Sequence, residues 1–271
     1  MDLEATFGTA KPLIGMVHLP PLPGTPTCEA DLDAIEERAL ADAEALSDGG
    51  IDGVLIENYG DVPFYPASVP KHTVASMTRL ATEITKVTDV PIGINVLRND
   101  AEAAVSVAAA VGASFVRVNV HTGARITDQG IVEGAAHGTL RLRERLGADV
   151  AVFADIDVKH SAPLSAAADV GSTLGDTVER GLADAVIVSG TDTGEAVDRN
   201  AVTAALEARA ASDLGVPILV GSGVDEGSVA TLLNRTDGAI VGTALKRDGE
   251  TSAPVEETRV RRLVESASAA R

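Results

Sequence analysis

The chain has no tryptophan, two tyrosines, four phenylalanines and one cysteine among its 271 residues. A single thiol, Cys28, excludes an internal disulfide; this is the usage of a reducing compartment, and Cys28 reads as a spectator, not a nucleophile. Lysine is scarce as well, at positions 11, 71, 86, 159 and 246 only. Lysine and arginine together number 22 against 40 aspartates and glutamates, so the formal charge is −18 and the pI about 4.6. Such a balance excludes nucleic acid and anionic membrane as main partners, because both are held by basic surfaces. It suits an acidic, solvating surface in a salt-rich, halophilic cytoplasm, where a Debye length of about 3 Å at 1 M salt screens self-repulsion. No apolar run reaches the roughly 18 to 20 residues of a membrane helix, so no membrane insertion is expected. No basic, apolar and small-residue succession opens the chain, and the expected location is cytoplasmic.

What is present is a repeat of type. Apolar, β-branched runs recur about every 30 residues with Ala/Glu/Arg-rich helical stretches between them, as βα units require. The predicted strands are 13–17, 53–57, 91–96, 115–120, 150–156, 185–190, 217–223 and 238–243. They are nearly continuously apolar, so both faces are covered. Asp31, Asp100, Ser172 or Thr173, Asp198 and Asp225 offer helix starts, with Leu32, Ile35, Ala39 and Leu46 on one face of the first long helix. Gly49 and Gly50, Gly112, Gly147, Gly181 and Gly215 offer left-handed helix stops. Eight such units predict an α/β fold of one domain over 1–271, a (βα)8 TIM barrel of the phosphate-binding type, with a closing helix at about 255–269. A doubly wound open sheet is the rival, disfavoured because no GxGxxG follows the first strand.

In such a barrel the chemistry lies at the C-terminal strand ends, and here those ends are polar. His18, Glu57, Asn95, Asn119, Asp155, Asp157 and Lys159 leave strands one to five. Asp155 and Asp157 share a face by strand alternation, and Lys159 follows in step. Carboxylates beside an ammonium suit acid/base work, with Asp155 or Asp157 as base and Lys159 steadying a developing oxyanion or forming a Schiff base. Asn95 and Asn119 would orient hydroxyls, and Glu57 or His18 would supply a second proton. The bland alternative is an Asp–Lys ion pair closing the barrel's top. Strands six to eight end in "SGTDTG", "GSG" and "GTALK", where Ser189, Gly190, Thr193, Gly221, Ser222, Gly223, Gly242 and Thr243 form a phosphate-type end. Glycine lets an oxygen-rich ligand approach backbone N–H groups. No HxH or HExxH spacing presets a metal site, so no cofactor is expected; His18, His121 and Glu57 converging at the mouth are the alternative that would take a divalent metal. His160 is out of phase, and His72 and His137 read as surface residues.

Two loops stand out. The segment after His18, "LPPLPGTP", is stiffened by proline and reads as a rigid wall or lid over the mouth; a polyproline ligand would need basic flanks that are missing. The second, "ENYGDVPFYPASVPKHT", holds Tyr59, Phe64 and Tyr65, half of the chain's aromatics, as a surface for ligand or for a second subunit in a homo-oligomer.

The stretches "GMVHLPPLPGTP", "DGVLIENYGDVPF", "GINVLRND", "FVRVNVHTGA", "FADIDVKHS", "IVSGTDTG", "PILVGSGV" and "DGAIVGTALK" resemble the BtpA/SgcQ family of TIM-barrel proteins over nearly the whole chain. The resemblance implies a barrel distantly similar to the ribulose-phosphate-binding barrels. Members of that family are linked to photosystem I biogenesis, others lie beside sugar-phosphate metabolism, and some are labelled phosphoribosylanthranilate isomerase-like. Two functions are therefore expected to compete. One is an enzyme acting on a small phosphorylated metabolite, such as a sugar phosphate, by isomerisation or lyase/aldol-type cleavage. The other is a non-catalytic barrel scaffold or assembly factor.

Overall fold

The computed structural model describes residues 1–157, 161–164, 169–190 and 198–271, without the side chain of Asp157. Eight parallel strands close into a barrel: β1 (Leu13–His18), β2 (Gly53–Glu57), β3 (Ile92–Asn95), β4 (Phe115–Val118), β5 (Ala151–Asp157), β6 (Ala185–Val188), β7 (Ile218–Val220) and β8 (Gly238–Val241). Each pairs with its sequence neighbour and β8 pairs with β1, so the chain is a (βα)8 TIM barrel. The predicted strands are all present; β3, β4, β6, β7 and β8 end one to three residues earlier than expected, where the chain turns into the mouth, while β1 and β5 run one residue further.

Alternation sorts the side chains. Ile14, Met16, Leu55, Phe115, Phe153, Ile187, Leu219 and Ile240 face the barrel axis, and the intervening valines and isoleucines pack against the helices. Helix Leu32–Asp48 shows how the outer layer forms: Asp31 caps it, accepting from Ala34 N–H at 2.9 Å, and Ile35, Ala39, Ala43 and Leu46 are buried against the strands. The floor has its own plug. A short helix, Leu3–Phe7, is capped by Asp2 and drives Phe7 into the barrel bottom, its ring 5.7 Å from that of Phe115 and 6.4 Å from that of Phe153. The rings fit only because β3 carries Gly93, where a Cβ would come within 2.3 Å of the Phe115 ring.

Several local expectations are corrected. Asp169, not Ser172 or Thr173, caps helix Val170–Gly175, because its carboxylate reaches Ser172 N–H at 2.9 Å. Asp225 closes the turn before helix Val229–Leu233, which starts after Ser228. Gly50, Gly112 and Gly147 are left-handed as expected, but Gly181 is right-handed, and Leu182 and Asp213 take the positive φ in place of Gly181 and Gly215. A three-stranded antiparallel sheet, Ala124–Thr127, Gly130–Glu133 and Ser161–Pro163, rises over the mouth where plain loops are expected. Its strands are too short to stand out from loop sequence.

Lys246 does not serve the mouth. It turns outward, fully buried, with Nζ 3.2 Å from Asp42 Oδ2, and Asp42 Oδ1 accepts from Val255 N–H at 2.7 Å. The pair joins helix Leu32–Asp48 to the chain leading into the closing helix, Glu257–Ala267. Burial pushes the Lys246 ammonium below its ordinary pKa, and the Asp42 carboxylate opposes that shift.

Candidate active site

The strand register brings polar side chains into one row. His18 pairs with Glu57, Glu57 with Asn95, and Asn95 with Arg117, so four consecutive strands present four polar residues at one level above the apolar floor. His18 and Glu57 lie side by side, Nε2 to Oε1 3.7 Å, both buried, with the His18 ring 4.8 Å from that of Tyr59. Beside β1 in the ring, β8 and then β7 end in glycine because nothing larger fits: a Cβ on Gly242 would come within 2.8 Å of His18 Cε1.

Between these walls is a cavity of about 380 Å³, lined by His18, Glu57, Tyr59, Phe64, Arg98, Arg117, Asn119, the Gly221–Asp225 turn and the Gly242–Ala244 turn. Glu57, His18 and Asn119 thus meet Gly221, Ser222, Gly223, Gly242 and Thr243 in one space, as the strand ends imply. Other expected residues do different work. Asn95 lies just below, donating from Nδ2 to the Arg117 carbonyl at 3.0 Å and to Asn119 Oδ1 at 3.1 Å. Gly190 N–H donates to Ser222 Oγ at 2.5 Å, so it shapes the β7 turn. Ser189 Oγ accepts from Arg117 Nη2 at 3.3 Å.

Asp155 is held by two neighbours. Its carboxylate is clamped by Arg117, Nε to Oδ1 3.2 Å and Nη2 to Oδ2 3.0 Å, and Oδ2 also accepts from Asn119 Nδ2 at 2.9 Å. A carboxylate holding a buried guanidinium is poorly placed to take up a substrate proton. The pairing of β5 with β6 shifts register between Asp155 and Asp157. The Asp157 side chain, Lys159, His160 and Thr193 lie outside the described residues.

Arg117 and Arg98 are the site residues absent from the expected set. Arg117 is the lone charge in "FVRVNV", in phase with Phe115 and Asn119, and that phase is the signal that aims it inward. Burial opposes its charge, while Asp155 and Glu57 raise its pKa. Arg98 follows β3, is buried, and is pushed below its ordinary pKa by desolvation.

His121 does not join His18 and Glu57 at the mouth. It is buried outside the mouth cavity with Nε2 2.8 Å from the Gly181 carbonyl. Among the described residues no cluster of three His, Cys, Asp or Glu side chains forms. Burial depresses the His121 pKa below the ordinary 6.5, so the unfolded chain takes up the proton first and stability falls as pH drops below that value. Urea unfolding between pH 7 and 5 should show up to about 1.4 kcal/mol lost per pH unit from this group. His121→Asn, whose amide can still donate to Gly181, should flatten that slope.

The loops at the rim are braced against each other. Leu19 N–H donates to the Glu57 carbonyl at 2.8 Å, Leu22 N–H to Asp61 Oδ1 at 2.8 Å, and Asn58 Oδ1 accepts from Leu97 N–H at 2.7 Å. The proline-rich segment is therefore a fixed wall with Leu19 and Leu22 buried, as its composition implies, and not an accessible polyproline ligand. His72 and His137 are exposed.

The family model described as the BtpA family matches residues 9–269. The chain belongs to the BtpA family. A Thermococcus kodakarensis member, named only as an uncharacterized protein, is 48% identical over 267 residues, covering 98% of this chain and 97% of its own. The photosystem I biogenesis protein BtpA of Synechocystis is 42% identical over 266 residues, covering 98% and 91%. Among solved structures, phosphoribosyl anthranilate isomerase from Thermus thermophilus superposes with a TM-score of 0.56 at 14% identity, covering 96% of this chain and 100% of its own. At that identity the likeness is one of fold. Within this BtpA-family barrel, no described helix is long and apolar enough to cross a membrane.

Proposed function

We propose that the protein is an enzyme acting on a small phosphorylated metabolite by proton transfer next to a carbonyl, as in an isomerase or a lyase. The observation that carries this reading is the shared cavity, in which the His18–Glu57 pair faces the glycine turns after β7 and β8. The turns bearing Gly221, Ser222, Gly223, Gly242 and Thr243 bind phosphate, since glycines there leave backbone N–H groups open to an oxygen-rich ligand. His18 moves the proton and Glu57 orients it; Asp155 holds Arg117 in place. Asn119, within the cavity wall, orients a substrate hydroxyl. Lys159 keeps its place as the candidate for steadying the oxyanion, and Asp157 as a candidate base.

A thermal-shift series in molar KCl with millimolar sugar phosphates and the matched sugars tests the phosphate half. A ligand at about 100 times its dissociation constant stabilises the native state by about 2.7 kcal/mol. Only phosphorylated compounds should shift the wild type, and Thr243→Val together with Gly242→Ala should remove the shift. Equal response to sugars without phosphate would sink the reading. Once a substrate is found, His18→Asn and Glu57→Gln should each lower kcat by 10²-fold or more, about the contribution of a positioned acid or base.

A second reading, a barrel serving in photosystem assembly, is favoured by the 42% identity to the Synechocystis protein. Its contact surface would be the β2 loop, where Val62 and Tyr65 are about half exposed. Val62→Ser with Tyr65→Ser would then abolish a complex that His18→Asn leaves intact in pulldown.

A further inference from the structure

A phosphate in the turns after β7 and β8 would enter a cavity that already holds the Glu57 carboxylate, in a chain of net charge −18, so it needs a cation as well as backbone amides. Arg117 springs from β4 and runs through the interior past three strands. It meets Asp155 on β5, Ser189 after β6 and then the turn after β7, where a Cβ on Gly221 would lie 3.5 Å from its Nη2. That Cβ would also strike Ile187 Cγ2 and Ser189 Oγ, at 2.4 and 2.5 Å, so only glycine lets the turn settle against the guanidinium. The amides of the turn are open: Gly221 N–H is spent on the Val188 carbonyl at 2.8 Å, whereas those of Ser222, Gly223 and Val224 donate to nothing among the described residues. One edge of the guanidinium is open too. Asp155 takes Nε and Nη2 and Ser189 takes Nη2 again, but Nη1 has no acceptor among the described residues. The side chain is only 5% exposed, and it lines the mouth cavity. Burial opposes its charge, yet Asp155 and Glu57 raise its pKa, so it stays a cation.

We propose that Arg117 is the cation of the phosphate site, its free Nη1 bonding a phosphate oxygen from the barrel interior while the other oxygens take the Ser222, Gly223 and Val224 amides. This rests on the phosphate reading above and supplies the charged half of that site. Asp155 grips the guanidinium on the edge away from Nη1, so it orients the arginine without occupying the donor that the ligand needs. A fork fixed in this way meets a phosphate with little loss of side-chain freedom. The floor of the cavity then selects the phosphoryl group itself and not the neutral sugar.

The test titrates inorganic phosphate and glycerol 3-phosphate calorimetrically into the wild type and two paired variants, Arg117→Met with Asp155→Ala and Arg117→Gln with Asp155→Asn. Each pair deletes one charge of either sign, so the net charge stays at −18 and a changed affinity reports the lost contact, not the field of the whole protein. Circular dichroism selects the pairs that fold. In a folded pair both ligands should bind about tenfold or more weaker than in the wild type, as the loss of one charge-assisted hydrogen bond implies. Wild-type crystals grown with phosphate should also place a phosphate oxygen about 3 Å from Arg117 Nη1, a readout that needs no variant. Undiminished affinity in a folded pair, or a phosphate seated in the turn beyond reach of Nη1, overturns the assignment of Arg117 and leaves the phosphate reading standing. Failure of both ligands to bind the folded wild type overturns both.

Discussion

Asp155→Ala should destabilise the barrel by about 3–5 kcal/mol, because it strands the Arg117 guanidinium in the interior with Ser189 as its remaining described acceptor. Coulombic attraction between the two groups offsets a large desolvation cost, and removing one member leaves that cost unmet. The double variant Asp155→Ala, Arg117→Met should recover much of the loss, since it deletes both charges. Urea midpoints for the four proteins at constant KCl close the thermodynamic cycle. A stability equal to wild type for Asp155→Ala would show that the pair is not a strut, and would return Asp155 to the role of base.

The second large effect is expected far from the mouth. Lys246→Met should cost about 3–5 kcal/mol by leaving Asp42 charged in a buried position, even though methionine fills a similar volume. Asp42 is not wholly deserted, since Arg38 Nε remains 3.2 Å from Oδ1, so the lower end of the range is favoured. Adding Asp42→Asn should recover most of the loss, because the amide is neutral and its oxygen can still accept from Val255 N–H. Ligand binding at the mouth should be unchanged in the folded double variant. A single variant as stable as wild type would mean that this lysine is ionised at no net cost, against the downward push that burial exerts on its pKa.

Much of the barrel is legible in the sequence. Runs such as "GVLIE" and "FVRVNV" are local facts: apolar on both faces, ending in a polar residue, and bounded by glycine or aspartate. In a parallel barrel each strand end faces the mouth, so His18, Glu57, Asn119, Gly221 and Gly242 could be placed near one another from strand polarity alone. The capping role of Asp31 and the stops at Gly112 and Gly147 are likewise settled within a few residues of chain.

What the sequence could not carry is partner choice between distant strands. Asp155 reads as a free base until register shows it under Arg117 and beside Asn119, and both contacts cross from β4 to β5. Lys246 reads as a mouth residue until the chain after β8 turns outward onto Asp42, 204 positions away. Phe7 closes the barrel floor from a five-residue helix too short to announce itself by periodicity. The sequence by itself determined the strands, their polarity and which residues leave them, because these depend on near neighbours. Only the tertiary structure decided which charges neutralise each other and which remain for a ligand, because in a closed barrel that depends on register accumulated around the whole ring.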